Sequence, residues 1–312
     1  MTGKGSARPA GTNVLVRMMY GPAGLRAGWR AIVFLLLMAL GEWQGSRVIE
    51  AEHRLFGPGE SPEGWLFEKT ILFLFVLIVV LVIGAFEHRS LREYGLPLRE
   101  AFGKNFWAGA LWGFGILTVN IVLMSVMGAY SFGQIALPIS QVVKYGLLWL
   151  AANSVVALSE EFAFRGYLQF TLTRGMRFWP ASVVTSILFG LAHLDTSAPW
   201  QAIVNIALLA LFLCLALRRT GSLWFGIGSH MAFDWGLSFF YSCDAGARGH
   251  LSQAAIHGSP WFAGGTAGPE GNIFNVFLVI AAILLLSKVY PHVKYPAAAS
   301  LRADFSSVQA DS

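Results

Sequence analysis

Eight apolar stretches divide the chain, and short polar or basic segments separate them. The first runs from Ala31 to about Ile49 and is interrupted by Glu42 and Arg47. The second runs from about Lys69 to Phe86, with Ile71 to Ile83 unbroken. The third covers about Asn105 to Met127, and the fourth about Gln141 to Arg165, with Gly166 to Leu172 either continuing it or turning along the interface. The fifth starts at Pro180, a favoured first-turn residue, and reaches Leu194. The sixth covers Trp200 to Leu217, the seventh Leu223 to Cys243 and the eighth Ile273 to Val289. About 20 apolar residues carry a helix across ~30 Å of hydrocarbon. The pattern therefore predicts an all-α, polytopic transmembrane bundle of about eight spans.

Charge placement adds an orientation. Arg89, Arg92, Arg99 and Lys104 lie between spans two and three, Arg174 and Arg177 between four and five, and Arg218 and Arg219 between six and seven. Lys288, Lys294 and Arg302 follow span eight. The alternate loops are nearly free of positive charge: Gly128 to Gln141 and Asp195 to Pro199 have none, and Asp244 to Gly271 has only Arg248. The positive-inside rule then puts both termini in the cytoplasm. Residues 1–30 read as a basic cytoplasmic leader, 31–290 as a single transmembrane helical domain with a core at 141–241, and 291–312 as a cytoplasmic tail. The leader is long for a signal-peptide n-region and shows no A-x-A-like cleavage site. The loop from Asp244 to Gly271 reads as a plain flexible connection.

Composition agrees with this reading. Of 312 residues 55% are hydrophobic and 12% charged, against about 25% charged in soluble domains. The mean hydropathy is +0.59 and the isoelectric point near 9.4. That basic balance does not call for nucleic acid, because the cations sit in short loops beside apolar spans. The expected surroundings are a lipid bilayer, in a bacterial cytoplasmic membrane. Cys214 and Cys243 are too few for a disulfide framework or a zinc knuckle.

The chemistry concentrates in three spans. Ser159-Glu160-Glu161-Phe162-Ala163-Phe164-Arg165 follows a stretch, Tyr145 to Leu158, that carries no charge. One ionised side chain at the bilayer centre costs roughly 2.5–3.5 kcal/mol on insertion scales, so two adjacent acids there need a reason. Glu161 and Arg165 are four residues apart, on one helix face, and can form a structural ion pair. Glu160 is turned by about 100° from Glu161 and is left as an acid that needs another partner. His193 closes span five. His230 and Asp234, four apart in span seven, can bond to each other or to one substrate group, the acid fixing the tautomer of the imidazole. Helix tilt is expected to level these groups within the cytoplasmic half of the membrane, around a cavity open to the cytoplasm.

Glu160-Glu161-x-x-x-Arg165, then Phe189-x-x-x-His193, then His230-x-x-x-Asp234, in that order on separate spans, resemble the signature of the CPBP intramembrane proteases. That family takes in CAAX prenyl endopeptidases and the bacterial Abi proteins, and the resemblance covers about Gln141 to Tyr241. It implies an endopeptidase that cuts a membrane-associated protein or peptide near the cytoplasmic face. Glu160 would be the base acting on a water and His193 would help to hold that water. His230 and Asp234 would contact the scissile carbonyl and its developing oxyanion. In the eukaryotic CAAX proteases the last motif ends in Asn, and Asp234 stands there here.

Two further questions stay open at this stage. Glu160, His193 and His230 could form a two-His, one-Glu zinc site, as in a metalloprotease, yet the sequence contains no H-E-x-x-H helix and a metal-free glutamate–histidine route is slightly favoured. The alternatives to a protease are a non-catalytic immunity or regulatory protein and a proton-coupled transporter. The transporter predicts inverted repeats with broken helices, which the sequence does not display.

Overall fold

The structure is a computed structural model and describes residues 19–21, 24–57, 61–194, 200–244 and 247–295. The leader cations Lys4, Arg8 and Arg17, the tail residue Arg302 and the loop 195–199 lie outside the described residues. Among the described residues nine α-helices of eight residues or more carry the architecture: α1 (Ala27–Phe56), α2 (Pro62–Phe86), α3 (Lys104–Val126), α4 (Ile139–Glu160), α5 (Gln169–Met176), α6 (Phe178–Ala192), α7 (Trp200–Thr220), α8 (Trp224–Trp235) and α9 (Ile273–Val289). A π-helical stretch, Glu161–Leu168, joins α4 to α5 without a break, and a second, Gly236–Phe240, extends α8. Span four thus continues through 166–172 and ends at Met176. Among the described residues strand is limited to two-residue pairs, β1 (Tyr20–Gly21) with β2 (Gly24–Leu25), and β3 (Tyr130–Ser131) with β4 (Ala255–Ile256).

Each apolar stretch of the sequence is largely helical, the fifth and seventh running a few residues past their helices. Among the described residues six helical segments are long and apolar enough to cross a bilayer, and α6 is a shorter apolar helix. The outward faces are apolar as well: Leu111 on α3, Ile78 on α2 and Phe277 and Leu284 on α9 all point away from the bundle. In water such a girdle would be a severe aggregation hazard; against lipid it is the required surface. This is an integral membrane protein.

Local sequence explains the main junctions. The Ser61 side chain accepts from Gly64 N at 3.1 Å and Pro62 takes the first turn of α2, the usual start of a helix. Gly109, Gly113 and Gly228 let α3 and α8 touch backbone to backbone. A Cβ on Gly113 would lie 1.9 Å from Ser229 O, and one on Gly109 1.9 Å from Phe225 O. Those pairs advance together along both helices, so α3 and α8 run parallel. Small residues at such a seam are the membrane solution to close helix packing.

The bundle has two chemically distinct ends. At one, Leu223 N donates to Gly95 O (2.7 Å), Lys294 N donates to Arg218 O (2.9 Å) and the Arg218 guanidinium lies over the Phe178 ring (4.5 Å). The arginine- and lysine-bearing loops gather there. At the other end Arg248 Nη2 donates to Phe56 O (3.0 Å), Trp149 Nε1 donates to Arg248 O (3.3 Å) and β3 pairs with β4.

The connection after α8 differs from the flexible loop expected. Its part from Gly265 to Glu270 is a 3-10 segment that enters the far end of the bundle. Asn120 Nδ2 donates to Pro269 O (2.8 Å), Asn205 Nδ2 donates to Glu270 O (2.6 Å) and Asn272 Nδ2 donates to Asn120 Oδ1 (2.8 Å). Non-helical backbone at membrane depth is tolerated only where protein satisfies its polar groups. The asparagines of α3 and α7 supply that satisfaction.

Candidate active site

The three polar spans meet. The second acid of the pair, Glu161, is buried, and its Oε1 lies 3.0 Å from Arg165 Nη1. The same oxygen lies 3.1 Å from His230 Nδ1. The Arg165 guanidinium also stacks on the Phe189 ring, its Cζ 3.9 Å from the centroid, a favourable cation–π placement. Glu161 therefore joins α8 to the α4–α5 rod, with Arg165 as its counter-ion.

Glu160 is the last residue of α4, directly before the π-helical stretch, and lines the cavity. Its Oε2 is buried and makes no hydrogen bond to the protein. It lies 3.8 Å from His193 Nε2 and 3.7 Å from His230 Nε2. These separations are too long for direct hydrogen bonds and suit a single bridging water. His193 is the residue that ends α6, and its Nδ1 donates to Phe189 O at 2.8 Å. That bond assigns the neutral ring's proton to Nδ1 and turns the Nε2 lone pair toward Glu160. His230 Nε2 lies 3.2 Å from Asp234 Oδ2, one turn on. Both nitrogens of His230 thus face carboxylate oxygens, an arrangement that holds the ring in one orientation.

These groups form the floor of a cavity of about 840 Å³, within the range of small-molecule and peptide side-chain pockets. Its walls include Trp65 and Lys69 from α2, Leu209 from α7, Asp244 and Glu270. The sequence expectation of a cavity on the side of the basic loops is corrected here. The lining comes from the first turns of α2, the first half of α7, the end of α8 and the 265–270 segment, all at the end opposite those loops. Toward the basic end, Phe162, Tyr167, Leu168, Leu223 and Phe225 are buried and close the floor. Helix rise gives the reason. His193 follows a 15-residue helix that starts at the basic end, so it sits about 20 Å above that end at ~1.5 Å per residue, more than tilt removes.

Two site residues escaped the sequence reading. Asn153 lines the cavity two turns before Glu160 on the same face, and its spacing of seven from that acid was a usable signal. Glu270 also lines it, but an acid in a glycine-rich connection resembles any solvated loop residue. The zinc reading needs lone pairs of Glu160, His193 and His230 converging on one ion. Among the described residues no group of three or more His, Cys, Asp or Glu side chains is placed to hold a metal. His230 Nε2 faces the Asp234 carboxylate, where it acts as a donor and not as a ligand. The donor set does not fit a zinc site as arranged, and no step below passes through one.

An acid whose buried oxygen makes no protein hydrogen bond, two imidazoles beside it and a second carboxylate, set in the middle of a membrane bundle, are the class of site that can activate water. Comparison with known proteins gives one family match, over part of the chain. Residues 141–236 match the family described as type II CAAX prenyl endopeptidase Rce1-like, in agreement with the CPBP/CAAX protease resemblance. The matched stretch contains all seven named residues of the three motifs. It supports a membrane protease of the CAAX type. No curated protein and no solved structure matched the chain.

Proposed function

We propose that this chain is an intramembrane endopeptidase that hydrolyses a peptide bond of a membrane-associated substrate with water activated by Glu160. The carrying observation is Glu160 Oε2: buried, free of protein hydrogen bonds, and 3.8 and 3.7 Å from the two imidazoles. A water between these atoms gives its proton to Glu160 as its oxygen attacks the carbonyl carbon. His193 Nε2 accepts from that water and fixes its lone pair. His230, held at Nδ1 by Glu161, moves its Nε2–H from Asp234 to the carbonyl oxygen as charge develops there. The C–N bond then breaks and the proton on Glu160 passes to the leaving amine. Base catalysis of this kind contributes about 10²–10⁴-fold, and loss of one oxyanion donor costs roughly 10²–10³-fold in other hydrolases.

The test uses purified protein and a fluorogenic peptide in lipid vesicles. Wild type should cleave it, should keep its rate after exhaustive chelation and should contain no stoichiometric metal. His193→Ala and Asp234→Ala should lower kcat while peptide binding persists. A rate that vanishes on chelation and returns with zinc would replace the metal-free route by a metalloprotease. Peptide binding without cleavage by the wild type would favour the regulatory reading. Proton-coupled uptake into vesicles without cleavage would favour the transporter.

A further inference from the structure

The position of the cavity and the distribution of charge, taken together, specify from which side the substrate comes. The floor lies near mid-bundle: Gly113, close to the centre of α3, faces Ser229, the neighbour of His230. From that floor the cavity extends away from the basic loops, under the segment 265–270. The basic end is plugged by buried aromatic and aliphatic side chains, among them Tyr167, Leu223 and Phe225. It is also tied shut across loops, through Leu223 N to Gly95 O and Trp224 Nε1 to Pro97 O (2.9 Å). Cationic loops stay on the cytoplasmic side of a bilayer because their translocation is disfavoured. The same rule that places the basic loops inside therefore places the mouth of the cavity outside.

Resting on the protease reading, we infer that the cavity is served from the non-cytoplasmic face. Its substrate is then a membrane-anchored polypeptide whose scissile bond lies on that face. This substrate class differs from a prenylated cytoplasmic C-terminus, which would have to pass the closed basic end.

Sidedness can be read without reference to catalysis. Cysteine is placed at exposed positions of each end in a chain whose Cys214 and Cys243 are replaced by Ala, with peptide cleavage checked for retention. Trp261→Cys and Ser131→Cys report on the cavity end, and Arg99→Cys reports on the basic end. A membrane-impermeant maleimide added to intact cells should label the first two and spare Arg99→Cys, which should label only in inverted vesicles. If the cysteine-free chain is unstable, a fluorescent protein that matures only in the cytoplasm, fused after Ser312 of the wild-type chain, gives the same answer by lighting up. The reverse labelling pattern, equal labelling of both ends, or a dark fusion would overturn the inference and leave the protease proposal standing. With the expected sidedness, an impermeant peptide that the purified protein cleaves should also be cleaved by intact cells. Correct labelling with no cleavage of any peptide by purified protein would instead remove the protease reading and, with it, the substrate.

Discussion

Glu161 and Arg165 are each about 1% exposed, and neither can be removed alone without stranding the other. Breaking one side of a buried pair costs about 3–5 kcal/mol, much of it the uncompensated charge. Arg165→Leu should therefore lower the thermal midpoint in detergent sharply, and adding Glu161→Leu should recover part of the loss. Equal midpoints for wild type and Arg165→Leu would mean that the pair carries no structural load. The pair was legible as an i,i+4 spacing in an apolar span. Its attachment to His230 was not, because Glu161 and His230 are separated by 69 positions and nothing in either segment encodes that contact. The turn of Glu160 away from the direction of Glu161 was legible from helix geometry, although the π-helical winding that begins at Glu161 left no mark in the sequence.

At the scale of elements, the seam between α3 and α8 sets the depth of His230. A methyl group on Gly113 would overlap Ser229 O, a backbone atom that cannot swing aside. Overpacking of this kind typically costs about 1–3 kcal/mol. Gly113→Ala should thus lower both stability and peptide cleavage, since α8 must shift with its imidazole. Gly115→Ala, two residues away with nothing near its added Cβ, should leave both unchanged; matching behaviour of the two variants would contradict the seam. Helix existence was legible from the apolar runs because bilayer thickness fixes their length. The order inside 265–272 was not, because it depends on amides from α3 and α7. Asn120 and Asn205 are single amides in apolar spans, and nothing in their own segments marks them as holding the entering segment. Asn120→Leu leaves Pro269 O and the Asn272 amide short of a partner in the interior, a loss of about 1–3 kcal/mol. It should raise proteolytic nicking between β4 and α9, and an unchanged digestion pattern would show that the segment is held by other contacts.

At the scale of the whole molecule, the fold is an inside-out bundle in which lipid-facing side chains are apolar and the costly polar groups converge at mid-depth. Sequence pattern carried the fold class because a membrane imposes a one-dimensional rule. It misjudged the direction of the cavity because depth along each helix was argued with tilt left free, and the packed structure removes that freedom. The central claim is that this convergence makes Glu160 the base for water attack. Its most direct test is kcat for peptide cleavage by Glu160→Gln, which keeps the side-chain volume and removes the basic oxygen. The account predicts a fall of at least about 100-fold, with an unchanged thermal midpoint and unchanged peptide affinity. Turnover equal to that of wild type would contradict it.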